Sequence, residues 1–295
     1  MNDAKQIVPL AGRRILVTRA AHQAGKLSDG LRALGAEPVE VPVIEIQPPS
    51  DFAPLDRALR QLDSYDWLIL TSANTVRALA ERAAHLSVSV ENVAPRQVAA
   101  IGAATAEAAR LAGLPVTLVP ESYVAESLVA SILHGSQTAS ADALKGHGFS
   151  RATDSQQTPR ALAPEGSLHN QRVLIARAAV ARDVIPDALR AAGATVDVVD
   201  AYLNVMPASA PALLREALKK GIDAVAFTSS SSVTHLAGAA EKTGIAFPFA
   251  GVAAISIGPI TSKTLRERGW DPAAEASQSD IPGLIDVILQ VLSSK

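Results

Sequence analysis

The chain repeats itself. Arg14-Ile15-Leu16-Val17-Thr18-Arg19 has a partner in Arg172-Val173-Leu174-Ile175-Ala176-Arg177, and Leu31-Arg32-Ala33-Leu34-Gly35-Ala36 answers to Leu189-Arg190-Ala191-Ala192-Gly193-Ala194. Asp66-Trp67-Leu68-Ile69-Leu70-Thr71-Ser72 matches Asp223-Ala224-Val225-Ala226-Phe227-Thr228-Ser229. Ala99-Ala100-Ile101-Gly102-Ala103-Ala104-Thr105 matches Ile255-Ser256-Ile257-Gly258-Pro259-Ile260-Thr261. Register is nearly constant along the chain, which chance similarity does not produce, so the pattern reads as a duplication. At 295 residues the chain has room for two domains.

Within each half, short apolar runs alternate with stretches of helical periodicity, the pattern of β-α-β units around a parallel sheet. Ile15 to Thr18 reads as a buried strand, and Ala24, Leu27, Leu31 and Leu34 recur at helical spacing before a capping Gly35. Trp67 to Leu70 and Val98 to Ile101 read as strands, each followed by a helix. The expected fold class is α/β: two Rossmann-like (flavodoxin-like) parallel-sheet domains from an internal duplication. Val39 to Ile46 and Val196 to Val205 are more polar, partly alternating and followed by proline. They read as exposed crossover strands between domains. Gly135 to Asn170 is rich in Ser, Thr, Gln, Gly, Ala and Pro without periodicity. It reads as a disordered surface insertion without catalytic part.

Composition removes many chemistries. Hydrophobic residues make up 48% of the chain but aromatics only 3%, so Ala, Val, Leu and Ile are expected to build the core. With no cysteine there is no disulfide, thiol nucleophile or cysteine-held metal. The six histidines (His22, His85, His134, His147, His169, His235) show no metal-ligand spacing, so no metal is expected. A formal net charge of −2 gives no basic footprint for nucleic acid. The start of the chain lacks a signal-peptide pattern, and the most apolar stretch, Ile245 to Ile260, is broken by prolines and glycines. A cytoplasmic protein with no membrane partner is expected. With no G-x-G-x-x-G after a strand, no P-loop lysine and no G-x-S-x-G elbow, the common nucleotide and hydrolase signatures are missing.

Parallel sheets bind ligands beyond the carboxyl ends of their strands. Here those ends carry Thr18-Arg19, Thr71-Ser72-Ala73-Asn74, Gly102 to Thr105, Arg177, Thr228-Ser229-Ser230 and Gly258 to Thr261. Nearly all are small or hydroxylated residues at helix starts, where unpaired N–H groups and partial positive charge favour carboxylate or phosphate. Each alone is equally what an N-cap requires. Four such starts at matching places point to several anion sites. Carboxylates are not concentrated at strand ends, which argues against paired-carboxylate catalysis.

Tyr65-Asp66-Trp67-Leu68-Ile69-Leu70-Thr71-Ser72-Ala73-Asn74-Thr75-Val76, Ile101-Gly102-Ala103-Ala104-Thr105-Ala106 and Ile257-Gly258-Pro259-Ile260-Thr261 resemble segments of the uroporphyrinogen-III synthases. So do Leu16-Val17-Thr18-Arg19, Leu34-Gly35-Ala36-Glu37 and Val41-Pro42-Val43-Ile44-Glu45-Ile46. The resemblance covers nearly the whole chain outside 135–170. It implies two Rossmann-like domains joined by a two-stranded linker: residues 1–40 with 205–295, and residues 46–200, with 41–46 and 198–205 as the ladder. The working site would lie between the domains.

The resemblance also implies cofactor-free cyclisation of the linear tetrapyrrole hydroxymethylbilane, with loss of water and inversion of the last ring. Tyr202 would assist departure of the hydroxyl, or else pack in its strand. Arg19, Thr71, Ser72, Asn74, Gly102, Thr105, Arg177, Thr228, Ser229, Ser230, Gly258 and Thr261 would hold the substrate's eight carboxylates. Arg177 and Arg182-Asp183 match an R-G-x-x-G-R-[DE] segment, with Ala178 and Ala181 where that segment usually has glycines. Arg182 itself reads as a surface or helix-start residue. A monomer is expected. A non-catalytic two-lobed binding or regulatory protein for an anionic small molecule would share the fold and the anion sites. A two-domain glycosyltransferase would share the outline but not its nucleotide-binding residues.

Overall fold

The computed structural model describes residues 8–120, 128–133, 168–181 and 183–293. The segment read as an insertion lies outside them, apart from 168–170. The chain opens with β1 (Arg14–Val17), α1 (Ala21–Ala33), β2 (Glu37–Glu40) and β3 (Glu45–Gln47). It continues through α2 (Ala53–Arg60), β4 (Trp67–Leu70), α3 (Ala73–His85), α4 (Val90–Val93), β5 (Gln97–Ala100), α5 (Ala103–Leu111) and β6 (Val116–Leu118). After helical residues 128–133 (α6) come β7 (Arg172–Ala178), α7 (Val184–Ala191) and β8 (Thr195–Val205). The remainder is α8 (Ala210–Lys219), β9 (Ala224–Phe227), α9 (Ser230–Thr243), β10 (Ala253–Ser256), α10 (Pro259–Glu267), β11 (Ala274–Glu275) and α11 (Ile281–Ser293).

The chain forms two compact units: one of Pro48–Leu203, the other of the segments up to Gln47 and from Asn204 onward. The sheet of the unit containing both termini runs β11-β10-β9-β1-β2, all parallel. In the central unit the parallel strands run β8-β7-β4-β5-β6. The terminal order is the flavodoxin-like 2-1-3-4-5, and the central sheet has the same arrangement with its β-α-β unit (β7-α7-β8) last in the chain. Each sheet takes that unit from one half of the sequence and three strands from the other.

One aspartate per sheet fixes this exchange. In the terminal unit Asp223 Oδ2 accepts the Arg14 N–H at 2.7 Å, and the Asp223 N–H donates to the Arg14 carbonyl at 2.8 Å. In the central unit Asp66 makes the same two contacts with Arg172, both at 2.8 Å. Residues that match in sequence thus set the same strand pairing twice.

Strand composition follows from burial on both faces, which removes the polar alternation of a one-sided sheet. Side chains of a strand alternate faces. Leu16, Val225, Phe227 and Ala254 pack with residues of α8, α9 and α10. Ile15, Val17, Ala224, Ala226 and Ile255 pack on the other face with α1 and α11. In the central unit Trp67, Ile69, Val173 and Ile175 pack with Leu128 and Ile132 of α6 and Ile185 and Leu189 of α7.

Two expectations need correction. The terminal unit's core is not purely aliphatic. Trp270 lies 5.1–5.7 Å, centroid to centroid, from Phe227, Phe247 and Phe249, each near-perpendicular, the edge-to-face geometry that aromatic quadrupoles favour. Few aromatics does not mean dispersed aromatics: four of the ten are in this cluster. Nor is 39–46 one exposed strand. Between β2 and β3 the chain leaves the ladder, and Val41 and Val43 are fully buried in the terminal unit's core. The alternation of Val39, Val41 and Val43 is a core signal there.

In the central unit α2 is clamped to α3 by Asp56, whose two carboxylate oxygens accept Arg82 Nε and Nη2 at 2.6 and 2.7 Å. The guanidinium also stacks 4.0 Å from the centroid of the Phe52 ring. The hydrogen bond from Arg82 holds the Asp56 carboxyl below its ordinary range. A depressed carboxylate stabilises the fold above its unfolded pKa, roughly 4, and loses that contribution as pH falls through the folded value. Asp56→Asn should therefore lower the unfolding temperature at pH 7. Melting curves taken towards pH 3 should show the gap from wild type closing.

Candidate functional site

In a 2-1-3-4-5 sheet the ligand crevice opens where strand order reverses, between the first and third strands of the order. That point is β1/β9 in the terminal unit and β7/β4 in the central unit.

In the central unit β4 ends at Leu70, and Thr71-Ser72 lead into α3. Ser72 is the N-cap, its Oγ accepting the Thr75 N–H at 3.1 Å. The same oxygen lies 3.0 Å from Thr75 Oγ1 and 3.3 Å from the Tyr202 hydroxyl, and Thr75 Oγ1 lies 3.5 Å from Thr71 Oγ1. A hydroxyl has one proton to donate and two lone pairs to accept with. Ser72 can accept from the Thr75 N–H and from Thr75 Oγ1 while donating to the Tyr202 oxygen, which leaves the phenol proton for another partner. Tyr202 is only 7% exposed, brought in by β8. The β7–β8 register slips between Arg177 and Ala178, and the Ala179 N–H bonds the Tyr202 carbonyl at 3.0 Å. Such a bulge re-aims side chains at the end of a strand.

Arg177, at the end of β7, donates Nη2 to Asp183 Oδ1 at 2.7 Å. Gly102 is the N-cap of α5 at φ 88°, a left-handed conformation that favours glycine. Asn74 lies in the first turn of α3. Arg182 is outside the described residues.

The terminal unit repeats the frame with different detail. Ser229 caps α9, its Oγ accepting the Ser232 N–H at 3.1 Å while Ser232 Oγ faces the Ser229 N–H at 3.3 Å, a reciprocal capping box. Thr228 precedes it, half-buried, and Ser230 Oγ donates to the Ile260 carbonyl at 3.3 Å. Gly258 caps α10 in extended backbone, with Ser256 Oγ accepting its N–H at 3.2 Å. Arg19, the match of Arg177, has a buried Nε with no hydrogen-bond partner among the described residues. Burial lowers its pKa. A half-buried guanidinium with no ion pair among the described residues suits an incoming carboxylate.

The sequence-derived residues therefore fall into two sets. Thr71, Ser72, Asn74, Gly102, Thr105, Arg177 and Tyr202 belong to the central unit, and Arg19, Thr228, Ser229, Ser230, Gly258 and Thr261 to the other. The capping reading holds for Ser72 and Ser229. Thr105 and Thr261, each 4% exposed, lie inside their units rather than on the surface. Sequence reasoning passes over Thr75, whose buried hydroxyl completes the chain from Tyr202, and Asp183 as the partner of Arg177. A hydroxylated residue three places after a predicted N-cap is the available signal for Thr75. Among the described residues no three His, Asp or Glu side chains are grouped to hold a metal ion, and no helix is long and apolar enough to cross a membrane.

A family model described as uroporphyrinogen-III synthase HemD matches residues 25–140 and 135–286. The chain belongs to the uroporphyrinogen-III synthase family. It is 33% identical over 287 residues to a uroporphyrinogen-III synthase of Synechococcus elongatus, covering 96% of each chain. It is 26% identical to the porphyrin biosynthesis protein HemD of Ruminiclostridium josui, of which it spans about half, 49%. The fold matches a mutant uroporphyrinogen III synthase of Thermus thermophilus with a TM-score of 0.63 at 21% identity, covering 96% of this chain and 100% of that one. It also matches a Helicobacter pylori uroporphyrinogen-III synthetase with a TM-score of 0.56 at 17% identity, over 95% and 99%. Membership of this synthase family places the chain in tetrapyrrole biosynthesis.

Arg19→Met gives a direct check on the unpaired guanidinium. Replacing a half-buried cation that makes no ion pair among the described residues by an apolar side chain of similar length is neutral or stabilising. The unfolding temperature should hold or rise, while affinity for a polycarboxylate tetrapyrrole, followed by fluorescence titration, should fall.

Proposed function

We propose that this protein cyclises hydroxymethylbilane to uroporphyrinogen III, a hydro-lyase reaction with ring D inverted that needs neither metal nor cofactor. The observation that carries the proposal, beyond family membership, is the Tyr202 hydroxyl 3.3 Å from Ser72 Oγ, beside the switch point of the central unit. Ser72 and Thr75 orient the phenol. Tyr202 donates its proton to the departing hydroxyl of the substrate, the carbon–oxygen bond breaks, and water leaves. Ring closure releases a proton, which restores the balance.

The eight carboxylates of the substrate set the remaining task. Arg19 and Arg177 supply cations, while Asn74 and the helix starts after Ser72, Gly102, Ser229 and Gly258 supply N–H donors. Ser230, Thr228 and Thr71 border these starts. Hydroxymethylbilane closes unaided to the uninverted isomer, so the protein must favour one closure over another. A hundredfold preference is about 2.7 kcal/mol. Two charge-assisted hydrogen bonds, each contributing about 1.5–3 kcal/mol, suffice if they form only in the bent arrangement. Strong acid–base chemistry is not required at that magnitude.

Tyr202→Phe tests the acid role. Turnover should fall on the order of 10²-fold, the lower end for loss of a positioned proton donor. Affinity for oxidised product should change little, because Phe keeps the packing. Unchanged turnover would return Tyr202 to a packing role.

A further inference from the structure

Asp183 is positioned as an N-cap and does not cap. It occupies the residue before α7, where aspartate is among the best capping side chains, yet makes no side-chain hydrogen bond to that helix. Its backbone, at φ −89° and ψ 11°, lies off the extended geometry of a capped start. The carboxylate is turned instead onto Arg177 Nη2, 2.7 Å away. The pair is lopsided: the Arg177 side chain is 12% exposed and that of Asp183 62%. A largely buried cation at a strand end is neutralised by a solvent-facing anion.

The other half of the molecule offers a comparison. Arg19 stands at the position matching Arg177 and makes no ion pair among the described residues. At the register that pairs Leu31 with Leu189, the residue answering to Asp183 is Gly25, which lies inside α1 and has no side chain to offer. The internal carboxylate is therefore a feature of the central unit alone.

We infer that Asp183 is an internal stand-in for a substrate carboxylate: it holds Arg177 in the free protein and yields it to the incoming tetrapyrrole. The released carboxylate can then turn back to the Ile185 N–H in the first turn of α7, where Pro186 has none to offer. That recovers part of the cost of breaking the ion pair. Asp183 is thus a specificity residue, since a ligand must present a carboxylate at that point to displace it. Weak or uncharged ligands leave the latch closed. The inference rests on the reading of the site as a polycarboxylate site, and a binding measurement tests it separately from turnover.

The probe is oxidised uroporphyrin III, a stable octacarboxylate, titrated by fluorescence against wild type, Asp183→Asn, Arg177→Met and the double variant. Asparagine can still cap α7 but cannot compete as an anion. Loss of a half-exposed ion pair should tighten binding roughly two- to fivefold. In the Arg177→Met background Asp183→Asn should change nothing. Arg177→Gln replaces Arg177→Met if the latter does not fold. Unchanged or weaker binding by Asp183→Asn would overturn the inference, and weaker binding would mean that Asp183 orients Arg177. Equal tightening with and without Arg177 would overturn it too, showing only relief of general charge repulsion. Isomer analysis of the wild-type product reports on the synthase reading independently. A protein yielding only the uninverted isomer could still show, or fail to show, the coupling between Arg177 and Asp183.

Discussion

Everything in this molecule depends on the pairing of β1 with β9 and of β7 with β4. The aspartate contacts at these pairings join residues 209 positions apart in one case and 106 in the other, so neither half of the sequence can complete a sheet alone. Asp223 and Asp66 hold the pairings by bonding both ways to Arg14 and Arg172. Strand order in each sheet follows, and from strand order the point where it reverses. In such sheets that point is where a ligand crevice opens, and the residues there are those that sequence alone marks as anion-favouring.

The same frame occurs twice but is used differently. In the terminal unit a capping box fixes Ser229, and Arg19 Nε has no partner among the described residues. In the central unit the capping oxygen of Ser72 is shared with Tyr202, and Arg177 is held by Asp183. The phenol proposed as proton donor and the ion-paired Arg177 therefore lie in one unit, while Arg19 lies in the other. Repeated backbone geometry supplies helix starts at the strand ends, and the departures from repetition are where the proposed chemistry and selectivity lie.

Much of this is legible in the sequence because the strands are buried on both faces. Trp67–Leu70 is an unbroken apolar run bounded by Asp66 and Thr71, and its limits are those of β4. The helix starts are visible because Ser and Gly are placed by capping geometry, which is local. What cannot be read is non-local. Tyr202 reaches Ser72 across 130 residues of sequence, and nothing in either segment records the distance between two hydroxyls. Whether Asp183 pairs with Arg177 or caps α7 is a choice between two roles that the local sequence does not record. Val41 and Val43 read as part of an exposed strand because alternation signals a one-sided sheet and a buried edge equally well. The aromatic cluster at Trp270 is hidden by an average, since composition says nothing about position.

The central claim is that these strand ends bind a linear tetrapyrrole in the one arrangement that closes with inversion. The most direct measurement generates hydroxymethylbilane in situ, adds the protein, and separates the oxidised products into type I and type III isomers. The account predicts predominantly type III product, in proportion to the protein added. Type I alone, as in the protein-free control, would contradict it.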